Sequence, residues 1–140
     1  MQSAEKQLDF IVTNLKEKNL KVTSQRIAIY HYLLNSLDHP TAEKVYKDLK
    51  PLNPNLSLGT VYKTLETFKS SKLILGFNVG ESSFRYDGTV VPHIHFYCSE
   101  CEKIFDIHSK IDFDNNLLQN FEVESLQGFL YGKCATCKSK

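Results

Sequence analysis

At 140 residues, with 41% hydrophobic and 11% aromatic content, the chain has the makeup of a folded protein of one medium domain or two small ones. No apolar run approaches the ~20 residues needed to span a bilayer, and Met1 to Asp9 is polar, without the apolar stretch of a signal peptide. A cytoplasmic protein with no membrane partner is therefore expected. Net charge is +1 but unevenly spread: residues 1–86 carry 12 Lys and Arg against 8 Asp and Glu, whereas residues 87–140 carry 5 against 8. A basic first half suits an anionic partner, and an acidic second half suits cations.

The first half reads as helices. Leu8, Ile11, Val12 and Leu15 recur at helical spacing. Thr23 or Ser24 can cap a second helix presenting Ile27, Tyr30, Leu33 and Leu34 on one side. After His39-Pro40, Thr41 can cap a third helix carrying Val45, Tyr46 and Leu49, which Pro51 and Pro54 bring to an end. Ser57 can cap a fourth, running to about Ser70. Its Leu58, Val61, Leu65 and Phe68 fall in one stripe, while Gly59, Thr60, Lys63 and Thr67 lie opposite and Tyr62 sits at the flank. That outer face is small, polar and singly positive, a surface suited to a major groove. The alternative is a generic helical domain whose fourth helix is merely solvated.

Two strand-like runs follow, Leu73–Val79 and Ser83–Asp87, joined by Gly80-Glu81-Ser82. Helices followed by a hairpin give the winged-helix order. Gly88 and Pro92 then bracket a short linker. Beyond it, Ile94–Cys98 and Lys103–His108 look like strands of a hairpin tipped by Cys98-Ser99-Glu100-Cys101, with a helix expected over Asp112–Asn120 and another strand over Val123–Tyr131.

The four cysteines form two tight pairs, Cys98/Cys101 and Cys134/Cys137. In a reducing compartment such pairs favour metal over disulfides. Two CxxC turns complete a tetrahedron of thiolates, which suits structural zinc and leaves no open position. A redox CxxC or incidental thiols are the competing readings. His93 and His95 lie two apart on a strand and so share a face, with Cys98 on the other. On the returning strand, Asp106 and His108 share a face that a hairpin can bring beside these imidazoles. His39 and Asp87 are candidates to reach in from the first half. Such a donor set suits manganese, ferrous iron or zinc; the plainer reading of His-x-His is a polar surface pair. A small zinc hydrolase or deaminase would need an open zinc position and a general base. His93-Ile94-His95 lacks the Glu of H-x-E, and a four-cysteine zinc has no open position. A zinc-ribbon interaction module would need neither the His-x-His nor a winged-helix half.

Taken in order, the motifs resemble those of the ferric uptake regulator (Fur) superfamily of bacterial repressors, over nearly the whole chain. They are Lys21-Val22-Thr23-Ser24-Gln25-Arg26, His39-Pro40-Thr41-Ala42, Leu56-Ser57-Leu58-Gly59-Thr60-Val61-Tyr62-Lys63-Thr64-Leu65 and Arg85-Tyr86-Asp87, then His93-Ile94-His95-Phe96-Tyr97-Cys98-Ser99-Glu100-Cys101 and Cys134-Ala135-Thr136-Cys137. The resemblance implies an α+β protein: a winged-helix DNA-binding domain over 1–87, a hinge over 88–92, and a small α/β dimerisation and metal-binding domain over 93–140. It implies a homodimer on an AT-rich inverted repeat of double-stranded DNA, with Zn2+ held by Cys98, Cys101, Cys134 and Cys137.

Within the superfamily the chain is most similar to the peroxide-stress (PerR) branch. The regulatory ligands, for Fe2+ or Mn2+, would be His39, Asp87, His93, His95 and Asp106. Asp106 stands where iron- and zinc-sensing branches usually place Glu, and the further His those branches often carry around Leu126 is missing. Gly59 departs from the more usual Ala and would loosen its helix by ~1 kcal/mol. By the same resemblance, peroxide acting on bound iron would oxidise His39 or His93 and relieve repression, whereas manganese would support DNA binding alone. Thr60, Tyr62 and Lys63 are the candidates for groove contacts, and Lys21, Arg26 and Lys69 for phosphates.

Overall fold

The computed structural model describes residues 3–79, 83–90, 93–109, 112–123 and 126–139. The chain divides into two compact units, Met1–Val90 and Val91–Lys140. The first holds four helices and a hairpin: α1 (Ala4–Glu17), α2 (Ser24–Leu34), α3 (Ala42–Leu49), α4 (Leu58–Ser70), β1 (Leu75–Val79) and β2 (Ser83–Asp87). Each helix starts on a hydroxyl that accepts an otherwise unpaired backbone N–H. Ser3 accepts from Lys6, Thr23 from Arg26, Thr41 from Lys44 and Ser57 from Thr60. Pro51 lies in a 3-10 turn over Lys50–Leu52, where its missing N–H costs no helical bond.

The helices close on one apolar core that includes Ile11, Leu15, Ile29, Leu33, Val45, Val61, Leu65, Phe68, Ile74 and Tyr86. On α4 the buried stripe is Val61, Thr64, Leu65 and Phe68. Leu58, expected in that stripe, is 37% exposed, because it occupies the first turn of α4, and Thr64 is buried instead. The hairpin pairs antiparallel from Leu75↔Asp87 to Val79↔Ser83. Its first strand is shorter than the expected run because Leu73 and Ile74 turn into the core before pairing begins. The expected joining residues Gly80-Glu81-Ser82 lie outside the described residues, as does Pro92 of the expected hinge.

The second unit contains β3 (His93–Cys98), β4 (Ile104–Ile107), α5 (Asn115–Leu118), β5 (Gln127–Gly132) and α6 (Ala135–Lys138). Its sheet has the order β4-β3-β5. The hairpin partner β4 runs antiparallel to β3, and β5 runs parallel to it. A parallel partner needs a crossover, which the segment through α5 supplies. The central strand is thus paired on both sides, and its alternating faces hold His93 and His95 on one side and Cys98 on the other. The helix α5 and the strand β5 are shorter than the expected Asp112–Asn120 and Val123–Tyr131. Asp114 caps α5 by accepting from Asn116, so Asp112 and Phe113 precede the helix.

Candidate metal centres

The thiolate cluster is built by the turn after β3 and the start of α6. In the turn, Cys98 N–H donates to Lys103 O at 3.0 Å and Glu102 N–H donates back to Cys98 O at 2.9 Å, with Glu102 in the left-handed region at φ 61°. Ser99 N–H reaches Gly132 O on β5 at 2.8 Å, which brings the tail to the turn just before Cys134. The four Sγ atoms of Cys98, Cys101, Cys134 and Cys137 all lie within 4.8 Å of one another, and those of Cys101 and Cys134 are 3.9 Å apart. An ion held at 2.3 Å by four thiolates gives sulfur–sulfur edges of about 3.8 Å, so the spacing fits zinc. The four thiols are free rather than paired as disulfides. Backbone N–H groups of Cys101 and Cys134 hold the Cys98 thiol down to about 6, while its hydrogen bond to Cys134 pushes Cys137 up to about 12. One thiolate is favoured by the backbone; four together need a cation.

A second donor set lies on the other face of β3. His93 Nε2 and His95 Nε2 are 3.1 Å apart, and Asp106 Oδ1 is 3.4 Å from the first and 3.5 Å from the second. Ligands at about 2.0–2.2 Å on one face of a coordination shell are separated by about 3.0–3.4 Å, so this triangle has the dimensions of a ligand face. Two imidazoles and one carboxylate are the facial set that non-haem ferrous iron takes. Asp106 is placed by pairing, being directly opposite His95 in the β3–β4 register. Both histidines are buried, at 2% and 1% exposure. Phe129, opposite His95 on β5, stacks on that imidazole at 5.2 Å and 27°. His108 faces His93 with ring centroids 5.4 Å apart. Nothing in the spacing of the sequence singled out Phe129, since its role comes from the parallel pairing with β3.

In the first unit the structure brings His39 and Asp87 together, 48 positions apart in the chain. His39 Nε2 lies 3.3 Å from Asp87 Oδ2, and both residues are buried. His39 has φ 50°, a left-handed backbone that histidine tolerates more readily than most residues. Strand β2 holds it there: Arg85 Nη1 donates to His39 O at 3.3 Å and Tyr86 N–H to Pro40 O at 3.0 Å. Phe77 packs on the imidazole at 6.0 Å.

Of the residues expected to face DNA, Lys63 is exposed on α4, and the Thr60 hydroxyl shares a 2.8 Å hydrogen bond with the capping Ser57. Tyr62 is 40% exposed, and its hydroxyl donates to Glu43 on α3. Among the expected phosphate contacts, Lys21 is exposed. Arg26 already donates to Lys21 O at 3.0 Å, and Lys69 pairs with Glu66 at 3.0 Å beneath which lies the Phe84 ring. Among the described residues no helix is long and apolar enough to cross a membrane.

Comparison with known proteins identifies the family. The chain is 34% identical, over an alignment 144 positions long, to the peroxide-responsive repressor PerR of Staphylococcus epidermidis, covering 100% of this chain and 96% of that protein. Among solved structures it matches PerR from Streptococcus pyogenes at 29% identity and a TM-score of 0.54, over 93% of this chain and 92% of that one. The fold alone is shared with the Helicobacter pylori ferric uptake regulator Fur, at 21% identity and a TM-score of 0.73, over 99% and 96% of the two chains. The model of the ferric uptake regulator family matches residues 17–128, and with full-length relatives above 30% identity the conclusion follows: the chain belongs to the ferric uptake regulator family.

Proposed function

We propose that this chain is a metal-dependent, DNA-binding transcriptional repressor that senses peroxide through oxidation of its own histidines. The observation that carries the reading is the His93–His95–Asp106 triangle, an iron-type ligand face with Asp rather than Glu as its carboxylate. Cys98, Cys101, Cys134 and Cys137 hold structural Zn2+. His39 and Asp87 supply two further ligands, so that His39, Asp87, His93, His95 and Asp106 together bind one regulatory Fe2+ or Mn2+. Because those ligands come from a DNA-binding domain over 1–87 and a dimerisation domain over 93–140, with a hinge over 88–92, binding favours one arrangement over many. Thr60, Tyr62 and Lys63 on α4 contact an AT-rich inverted repeat in the cytoplasm. The working form is a homodimer, a role supported by the apolar side chains that the second unit leaves exposed, Phe105, Ile107, Phe113, Leu117, Phe121 and Leu130 among them.

A ferrous ion held by these residues would promote opening of the peroxide O–O bond, the two electrons coming in the balance from the imidazole C–H that is oxidised. The protein's part would be to offer His39 and His93, both buried, as ligands of that ion, so that an oxidant formed there would meet an imidazole before solvent. Net insertion of one peroxide oxygen into an imidazole C–H, with water leaving, spoils a ligand and releases DNA. Each event consumes the protein's own residue, so the response is regulatory rather than catalytic.

The test is to load the dimer with Fe2+ without air, add peroxide, and follow operator binding and peptide mass together. Gain of one oxygen on His39 or His93 alongside loss of binding is expected, with the Mn2+ form unaffected. DNA release with unmodified histidines would sink the peroxide reading, and release governed only by metal supply would assign the chain to uptake regulation.

A further inference from the structure

Both segments that carry ligands in the first unit are one hydrogen bond away from α4. On one side, His39-Pro40-Thr41 leads directly into α3, whose first turn holds Glu43, the acceptor for the Tyr62 hydroxyl of α4. On the other, Asp87 ends β2, and its neighbour Tyr86 sends its hydroxyl to Glu66 Oε1 on α4 at 3.2 Å. Tyr62 and Glu66 are four apart, so the two contacts lie one turn from each other on a single flank of the helix. The segments themselves are stapled together by the His39–Asp87 pair and the bonds from Arg85 and Tyr86 to His39 and Pro40.

Tyr86 is not a loosely held side chain. It is 2% exposed and sits edge-on to Phe84 at 5.1 Å, so its hydroxyl is committed to the acceptor it has.

We propose that Tyr86–Glu66 and Tyr62–Glu43 are positioning contacts that transmit the placement of His39 and Asp87 to the reading helix, so that an ion gripped by that pair selects one setting of α4. This rests on the function proposed above, and adds a path inside the winged-helix unit to the pairing of domains. A coupling between two ligands is reciprocal: whatever factor metal adds to DNA affinity, DNA adds to metal affinity.

The experiment measures operator affinity with and without saturating Mn2+, and Mn2+ affinity with and without operator, for wild type, Tyr86→Phe, Glu66→Gln, Glu43→Gln and the Tyr86→Phe/Glu66→Gln double variant. Tyr86→Phe keeps the buried ring, and thermal melting checks that each variant folds. Expected is a metal-free operator affinity within about twofold of wild type and a metal-dependent gain cut by about five- to tenfold. Mn2+ affinity of the DNA-free protein stays within about twofold, and the double variant is no worse than Tyr86→Phe alone, because that change already removes the bond that a Gln acceptor only weakens. A full gain in Tyr86→Phe and Glu66→Gln overturns the inference. So does an equal loss with and without metal, which would mark the contacts as packing only. Absence of any gain in wild type would sink the proposed function, and this inference with it.

Discussion

Phe129 carries no donor atom for a metal, yet its stacking on His95 fixes the plane of a buried imidazole between β4 and β5. Partners that orient ligands typically matter by about 10–100-fold in metal affinity. Phe129→Ala should therefore weaken Mn2+ binding by about tenfold in a competition titration with a chelating dye, while zinc content stays unchanged. Asp106→Ala removes a proposed ligand and should cost more; affinity for either variant equal to wild type would remove that residue from the site. What could be read in advance follows from range. The thiolate cluster was legible because each CxxC turn is local, and the shared face of His93 and His95 follows from strand alternation. The approach of His39 to Asp87 is set by the β2–Pro40 contact and leaves no trace in spacing; their places before α3 and before the linker made them candidates, and resemblance to a family joined them into one ligand set.

The helix α4 illustrates how caps and faces were more legible than the depth of each residue. Ser57 accepts Thr60 N–H at 3.1 Å, and Ser57→Ala should cost about 1 kcal/mol in urea unfolding. Gly59 has open space for a methyl group, the nearest atom to an added Cβ being Ser57 Oγ at 4.0 Å. Gly59→Ala should thus stabilise by about 1 kcal/mol; a loss of stability would mean that the glycine backbone serves a purpose the contacts do not reveal. Capping hydroxyls at the second, third and fourth helices and the apolar spacing of all four marked the first unit well, because both signals are local; the Ser3 cap of α1 was not read in advance. The second unit was harder: the parallel pairing of β5 with β3 depends on a crossover that no short-range pattern encodes, and α5 is only a single turn held by the Asp114 cap.

The two units differ in what holds them together. The core cluster from Ile11 to Tyr86 belongs wholly to the first, whereas Cys98 and Ile104 are the only buried hydrophobic residues of the second among those described. A segment of about 50 residues with so little apolar core usually needs a staple, and here the four thiolates tie the turn after β3 to the tail at α6. Metal binding in such a unit is folding energy. Cys134→Ser should accordingly lose zinc and, with it, amide-exchange protection across His93–Cys98 and Gln127–Gly132, along with Mn2+ binding. Helical circular dichroism and protection of Val61–Phe68 should persist, since α1 to α4 close their own core. Collapse of both units at once would show that the first depends on the second, and survival of the β3–β5 pairing without zinc would show that the thiolates are not its staple.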